Sequence, residues 1–223
     1  MSSVSVSGKN WIFKKHNSTE IKKLIDKYSL SEITAKLISI RKKNIESVDF
    51  YLNPTIKNLL PNPLKLKDME SATKRAYDCI VNNETIGIFG DYDVDGASST
   101  ALLSKYFLSI KRNIKTYIPD RKKEGYGPSI NGFNNLIKFG ANLIFTVDCG
   151  TLSFKAVEDA QRKKIDIIVL DHHQSELKLP NACAIVNPNR FDDTSNLNYL
   201  CAAGVCFMFL VSLNKKLRDE NWF

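Results

Sequence analysis

Six aspartates and a histidine pair fall at the ends of successive short apolar runs. They are Asp91, Asp93 and Asp95 between Gly90 and Gly96, Asp120 in Pro119-Asp120-Arg121, Asp148 in Asp148-Cys149-Gly150, and Asp171 in Asp171-His172-His173. Carboxylates crowded together repel one another, so unless some are protonated their gathering calls for a cation. Adding the imidazoles of His172 and His173 gives a mixed oxygen and nitrogen donor set, which suits Mn²⁺ first and Mg²⁺, Fe²⁺ or Zn²⁺ after it. In an extended or turning segment, residues two apart point to one side, so Asp91, Asp93 and Asp95 can present carboxylates jointly. Gly90 and Gly96 let the backbone turn around them. Any one Asp after a strand is commonly just a helix cap. The coincidence favours a site: four such ends in a row, one of them holding two of the chain's three histidines. His16 has no such context and reads as exposed.

Such residues need a scaffold that brings them to one edge. Between residues 85 and 187 one arrangement repeats: a β-branched or aromatic run, an acidic residue, a turn, then an amphipathic stretch. The runs 86–89, 114–118, 143–147 and 167–170, with 184–186 as a weaker fifth, lack polar alternation, as strands covered on both faces do. The stretches 99–110, 129–139 and 153–164 predict helices between them. The expected fold class is α/β, a parallel sheet flanked by helices with right-handed crossovers, preceded by a small helical lead-in. All strand carboxyl ends then lie along one edge, where ligands bind, and all the acidic segments are expected to converge there.

The lead-in is read over residues 1–80. Helical patterns with Lys-rich faces cover 21–28 and 31–40, with Ser31 as a candidate cap, and Pro54, Pro61 and Pro63 rule out a long helix over 54–63. A helical pattern returns at 69–81, and residues 81–223 make the main domain.

Composition narrows the classes. With 223 residues, 43% hydrophobic and 10% aromatic, the chain can close a sizeable core and is not a disordered tail. Its 32 Lys plus Arg against 24 Asp plus Glu, a net +8, raise the odds of a polyanionic partner. The five cysteines show no Cys-x-x-Cys pairing and no zinc-type spacing with histidine, which fits a reduced, cytoplasmic setting. Residues 1–10 lack the apolar core of a secretory signal. The apolar run 199–213 falls short of the roughly 20 residues a membrane span needs, so it predicts a buried helix. Residues 91–96 match the start of a calcium-binding EF-hand loop, but its twelfth position is Leu102 where that loop needs Glu. Neither a Gly-x-Gly-x-x-Gly after the first strand nor a Gly-Lys-Ser/Thr phosphate loop occurs.

Gly-Asp-Tyr-Asp-Val-Asp-Gly, Asp-Cys-Gly and Asp-His-His, in that order after successive predicted strands, resemble the DHH phosphoesterase superfamily. The likeness is greater to its branch of single-stranded-DNA-specific 5′→3′ exonucleases. Supporting that branch are Pro119-Asp120-Arg121 with Glu124-Gly125-Tyr126-Gly127, Val186-Asn187-Pro188-Asn189, and Ala202-Ala203-Gly204-Val205. The resemblance runs from about residue 11 to the end. It implies a metal-dependent phosphodiesterase of DNA recombination and repair, with Asp93, Asp95, Asp148 and His172 as ligands of one or two Mn²⁺ or Mg²⁺ ions. Asp91 and His173 would line the same site, where two metals activate water and stabilise both oxygens of an in-line displacement. His173 would bond a phosphoryl oxygen or aid proton transfer, and Asp171 would orient a histidine.

Beside that site, Arg121 is placed to clamp a phosphate, with Lys122 and Lys123 adding sequence-independent attraction. Tyr126 would stack on a base or else pack in the core. The implied partners are single-stranded DNA and, through the family, a single-stranded-DNA-binding protein or helicase, with no membrane. The rival haloacid dehalogenase-like phosphatases share Asp-x-Asp after a first strand, but their later Lys and paired Asp are not apparent, and Asp171-His172-His173 would go unexplained.

Two departures stand out. Asp120 occupies a position where the exonuclease branch usually has Asn, which puts extra negative charge near the expected phosphate. The family's further metal-binding Asp, in a Gly-Thr-Val-Ala-Asp-like segment, and a later Gly-rich His motif do not occur. The domain is therefore expected to be incomplete at its C-terminus, and the chain alone to bind metal weakly or be inactive. Two other functions remain open: a superfamily enzyme acting on small substrates, such as an oligoribonuclease, cyclic-dinucleotide phosphodiesterase or pyrophosphatase, and a non-catalytic nucleic-acid-binding module.

Overall fold

A computed structural model of the chain describes residues 3–12, 14–41 and 48–223. The described residues divide into two compact units, Met1–Pro61 and Asn62–Phe223. The boundary thus falls earlier than the 80/81 division expected from sequence, because helix Met69–Val81 buries Met69, Ala72, Ala76, Cys79 and Ile80 in the same core as the sheet.

The first unit holds strands β1 (Ser3–Val4) and β2 (Asn10–Trp11), paired antiparallel, and helices α1 (Ser18–Tyr28), α2 (Glu32–Arg41), α3 (Val48–Leu52) and α4 (Ile56–Leu59). Asn17 caps α1 by accepting the amides of Thr19 and Glu20. The Ser31 hydroxyl accepts the Thr34 amide at the start of α2, as its position suggested. Ile21, Leu24, Ala35, Ile38 and Val48 form the unit's small core.

The second unit runs α5 (Met69–Val81), β3 (Ile86–Gly90), α6 (Val94–Ser109), β4 (Ile114–Tyr117), α7 (Arg121–Glu124), α8 (Ile130–Lys138), β5 (Leu143–Val147), α9 (Phe154–Arg162), β6 (Asp166–Leu170), β7 (Ala184–Val186) and α10 (Ala202–Asp219). Every pairing in the five-stranded sheet is parallel, in the order β4-β3-β5-β6-β7. The uniform burial of the central strands now has its cause. Alternate side chains point to opposite faces, and each face has its own core. Ile86, Ile88, Leu143, Phe145, Val147, Ile168 and Leu170 pack with α5, α6 and α10, while Phe89, Ile144, Ile167, Val169 and Ile185 pack with α8 and α9.

The apolar run near the end is α10, which buries Val205, Phe209, Leu213 and Leu217 in the first of these cores. Among the described residues no helix is long and apolar enough to cross a membrane. One helix differs from expectation in a way that matters to the site. α6 begins at Val94 rather than at residue 99, because the Asp93 carboxylate accepts the Gly96 amide at 3.0 Å and starts the helix inside the acidic loop.

Candidate metal centre at the strand ends

The parallel ladder continues one residue past each strand. The Asp91 amide donates to the Val147 carbonyl at 3.3 Å, the Asp148 amide to Leu170 at 3.0 Å, and the Asp171 amide to Val186 at 3.1 Å. Asp91, Asp148 and Asp171 therefore stand in one row across β3, β5 and β6, each about 4.8 Å from the next. Two of them flank the β3/β5 junction, where the chain order in the sheet reverses and a crevice opens at the strand ends.

Backbone features tighten this row. A Cβ on Gly96 would lie 2.5 Å from the Asp91 carbonyl oxygen, so only glycine lets the first turn of α6 close over the end of β3. Asp148 itself has φ of 60°, a left-handed conformation uncommon for a residue other than glycine and found often at functional sites.

Two overlapping groups offer ligand atoms within 4.8 Å of one another: Asp91, Asp93 and Asp148, and Asp148, His172 and His173. Asp148 is common to both. It is 1% exposed, and neither of its carboxylate oxygens hydrogen-bonds to another group of the protein. Asp91 is also buried, with Oδ1 unpartnered. A buried carboxylate without donors is costly unless it is protonated or faces a cation. The residues present thus fit a divalent cation.

The electrostatics follow from that arrangement. Burial pushes the Asp148 carboxyl up to about 8, with the neighbouring Asp93 and Asp95 carboxylates adding to the shift. Burial also raises Asp91. Asp93 is held low, chiefly by the Gly96 amide. At Asp171, burial opposes ionisation, but hydrogen bonds from the His173 ring and Thr151 outweigh it and lower the pKa. The partner effect appears on His173, raised mainly by its bond to Asp171.

The remaining predicted residues sort by geometry. Asp171 is 1% exposed and accepts the amides of His172 and His173 and, at 2.7 Å, His173 Nδ1. Through that last bond it holds the His173 ring. His172 Nε2 lies 3.3 Å from Asp148 Oδ1 and 3.5 Å from Asp95 Oδ2. Asp95 stands outside both ligand groups, because its two oxygens accept the Ala202 and Ala203 amides at 2.7 and 2.8 Å and so cap α10. Sequence reading missed this link, since nothing local joins residue 95 to residue 202.

Arg121 is exposed, with its guanidinium 4.8 Å from the Tyr92 ring centre, and its charge weakly opposes the rise that burial causes at Asp91. Tyr126 is 58% exposed, so its ring does not sit in the core. Its hydroxyl lies 3.3 Å from His173 Nδ1 and donates to the Asp148 carbonyl, and burial of the hydroxyl end raises its pKa.

Asp120 does not join the convergence expected of it. Phe89 pairs with Tyr117, so Asp91 is level with Pro119 and Asp120 falls one residue beyond the row. Its carboxylate instead accepts the Lys122 amide at 2.9 Å and lies 3.7 Å from Lys123 Nζ, while Glu124 accepts the Asp120 amide at 3.0 Å. Asp120 thus caps α7, a helix the sequence had not suggested.

Fold and cluster together define a class: a parallel α/β protein whose strand ends gather carboxylates and imidazoles into a crevice suited to a divalent cation. The chain belongs to the DHH family, since the model of the DHH family, N-terminal domain, matches residues 85–222. It is 31% identical over 211 residues to the single-stranded-DNA-specific exonuclease RecJ of Bacillus subtilis, covering 94% of this chain and 27% of that protein. It is 38% identical over 173 residues to RecJ of Escherichia coli, covering 77% and 30%. A crystal structure of exonuclease RecJ bound to manganese superposes with a TM-score of 0.62 at 28% identity, covering 68% of this chain and 38% of that one. The chain thus spans under a third of the length of these two curated relatives.

Proposed function

We propose that this chain carries the metal-holding site of a phosphodiesterase that removes nucleotides from the 5′ end of single-stranded DNA. The observation that carries the proposal is Asp148, a buried carboxylate whose oxygens accept no hydrogen bond, standing between Asp91 and Asp93 on one side and the histidine pair on the other. Similarity to RecJ, named as a single-stranded-DNA-specific exonuclease, supports the substrate class. Asp91, Asp93 and Asp148 would hold one Mn²⁺ or Mg²⁺, and Asp148 with His172 and His173 a second, Asp95 standing beside His172. A divalent cation held there lowers the pKa of water and offsets charge at phosphorus.

The protein's own groups do the remaining work. A carboxylate accepts only, so the 2.7 Å contact to Asp171 makes His173 Nδ1 the donor and keeps its proton on that nitrogen. Nε2 is then the nitrogen whose lone pair is left to face a cation. Tyr126, whose phenol stays protonated, offers a hydroxyl beside that ring and an exposed face on which a base can stack. Arg121, stacked on Tyr92, presents a bidentate donor to a backbone phosphate.

The test is release of nucleotides from 5′-labelled single strands by the protein expressed from its complete reading frame, with Mn²⁺ and with the metal chelated. Metal-dependent release that is lost in Asp148→Asn is expected. Cleavage of dinucleotides but not of long strands would point instead to the small-substrate branch, and no phosphoester cleavage at all would refute the proposal.

A further inference from the structure

The loop after β7 carries buried polar groups that neither the ligand groups nor the phosphate contact uses. Leu170 pairs with Val186, so Asn187 stands next to Asp171 and extends the row Asp91, Asp148, Asp171 by one place. Its side chain is fully buried. Nδ2 donates to the His173 carbonyl and to Thr151 Oγ1, both at 2.9 Å, and Oδ1 accepts the Asn189 amide at 2.8 Å. The orientation of this amide is chemically determined, because a carbonyl cannot donate and a backbone N–H cannot accept.

Asn189 extends the same hold, its Nδ2 donating to the His172 carbonyl. Thr151 closes the circuit by donating its amide to Asp171 Oδ2 at 3.1 Å, and Asp171 Oδ1 in turn takes the His173 ring. The histidine pair itself lies in no helix or strand, so its carbonyls have no regular ladder to satisfy them.

We propose that Asn187 is a positioning residue which, with Asn189, sets the main chain of His172 and His173 and so aims both imidazoles at Asp148. The inference rests on the metal-site reading above and names a residue for the aim of its ligands. Asn187→Asp is nearly isosteric but sets an acceptor against the His173 carbonyl. Asn189→Ala removes only the link to His172, at a partly exposed position.

Imidazole nitrogen NMR of the metal-free protein at constant pH tests this. The chain has three histidines, and His16 serves as the internal reference. In Asn187→Asp the His173 signals shift away from the Nδ1-protonated form. In Asn189→Ala the His172 signals move while those of His173 hold. Calorimetry should find Mn²⁺ binding about 10–100-fold weaker in Asn187→Asp, the usual effect of losing an outer hydrogen-bond partner.

A folded Asn187→Asp protein with unmoved histidine signals, or with wild-type Mn²⁺ affinity, overturns the proposal. If that variant does not fold, Asn189→Ala decides alone, and unmoved His172 signals there overturn it. Failure of the phosphodiesterase reading is seen separately, in wild-type protein that cleaves no phosphoester, because the NMR arm uses neither metal nor substrate.

Discussion

Asp120 and Asp148 have the same local grammar, an acidic residue just past an apolar strand, and opposite fates. Asp120 follows the edge strand β4, one residue out of the row, and is half exposed, with its carboxylate occupied by the Lys122 amide and the Lys123 ammonium. Asp148 follows the central strand β5, is buried with both oxygens unpartnered, and sits in a left-handed backbone conformation. A carboxylate whose hydrogen bonds are met locally starts a helix. One that the fold buries and leaves unmet is costly unless it is protonated or faces a cation.

The largest expected effect comes from the centre. Asp148→Asn replaces one oxygen of the carboxylate common to both ligand groups with an amide nitrogen and removes its charge, so Mn²⁺ affinity measured by calorimetry should fall by more than the roughly 10–100-fold loss typical of an outer partner. Retained affinity would erase the contrast with Asp120. Next is Gly96→Ala, which sets a Cβ 2.5 Å from the Asp91 carbonyl oxygen, a backbone atom that cannot swing away. Urea unfolding should show a loss of about 1–3 kcal/mol, the range for overpacking, together with weaker Mn²⁺ binding.

The Asp148 carboxyl also responds to pH. In the metal-free protein Asp148 keeps its proton up to about 8, whereas the unfolded chain ionises it near 3.8. Between those values the folded state binds more protons, so this group makes stability fall as pH rises from about 4 to about 8. Mn²⁺ needs the ionised form, binds more tightly over the same rise, and should reverse the trend. Thermal melts at both ends of that window, with and without Mn²⁺, check the sign.

The smallest effect is at the edge. Asparagine caps a helix as well as aspartate does, so Asp120→Asn should stay within about 0.5 kcal/mol of wild type and leave Mn²⁺ affinity unchanged. A drop in affinity comparable to that of Asp148→Asn would mean that Asp120 reaches the crevice after all.

Much of the fold was legible in the residues alone. Four of the five strands appear where continuous apolar runs require two covered faces, with 143–147 and 184–186 matching Leu143–Val147 and Ala184–Val186 to the residue. The run 114–118 gives the edge strand β4, where Lys115 and Thr116 are exposed and the two faces are not covered. The acidic loop after β3 was visible too, but not that Asp93 starts α6, because a turn and a first helical turn share Asp and Gly. Asp95 was legible as an acid beside the site. Its hold on the α10 amides was not, since that contact spans 107 residues.

The amino-acid sequence by itself determined a parallel α/β protein with carboxylates and a histidine pair after its strands, because burial on both faces and the period of the chain are local properties. Strand order and register were decided only in three dimensions. They put Asp91, Asp148, Asp171 and Asn187 in one row across β3, β5, β6 and β7, and left Asp120 one step outside it. The reason is physical: a one-residue offset in a parallel ladder changes where a side chain points, and which strands are neighbours depends on helices packing across the whole sheet.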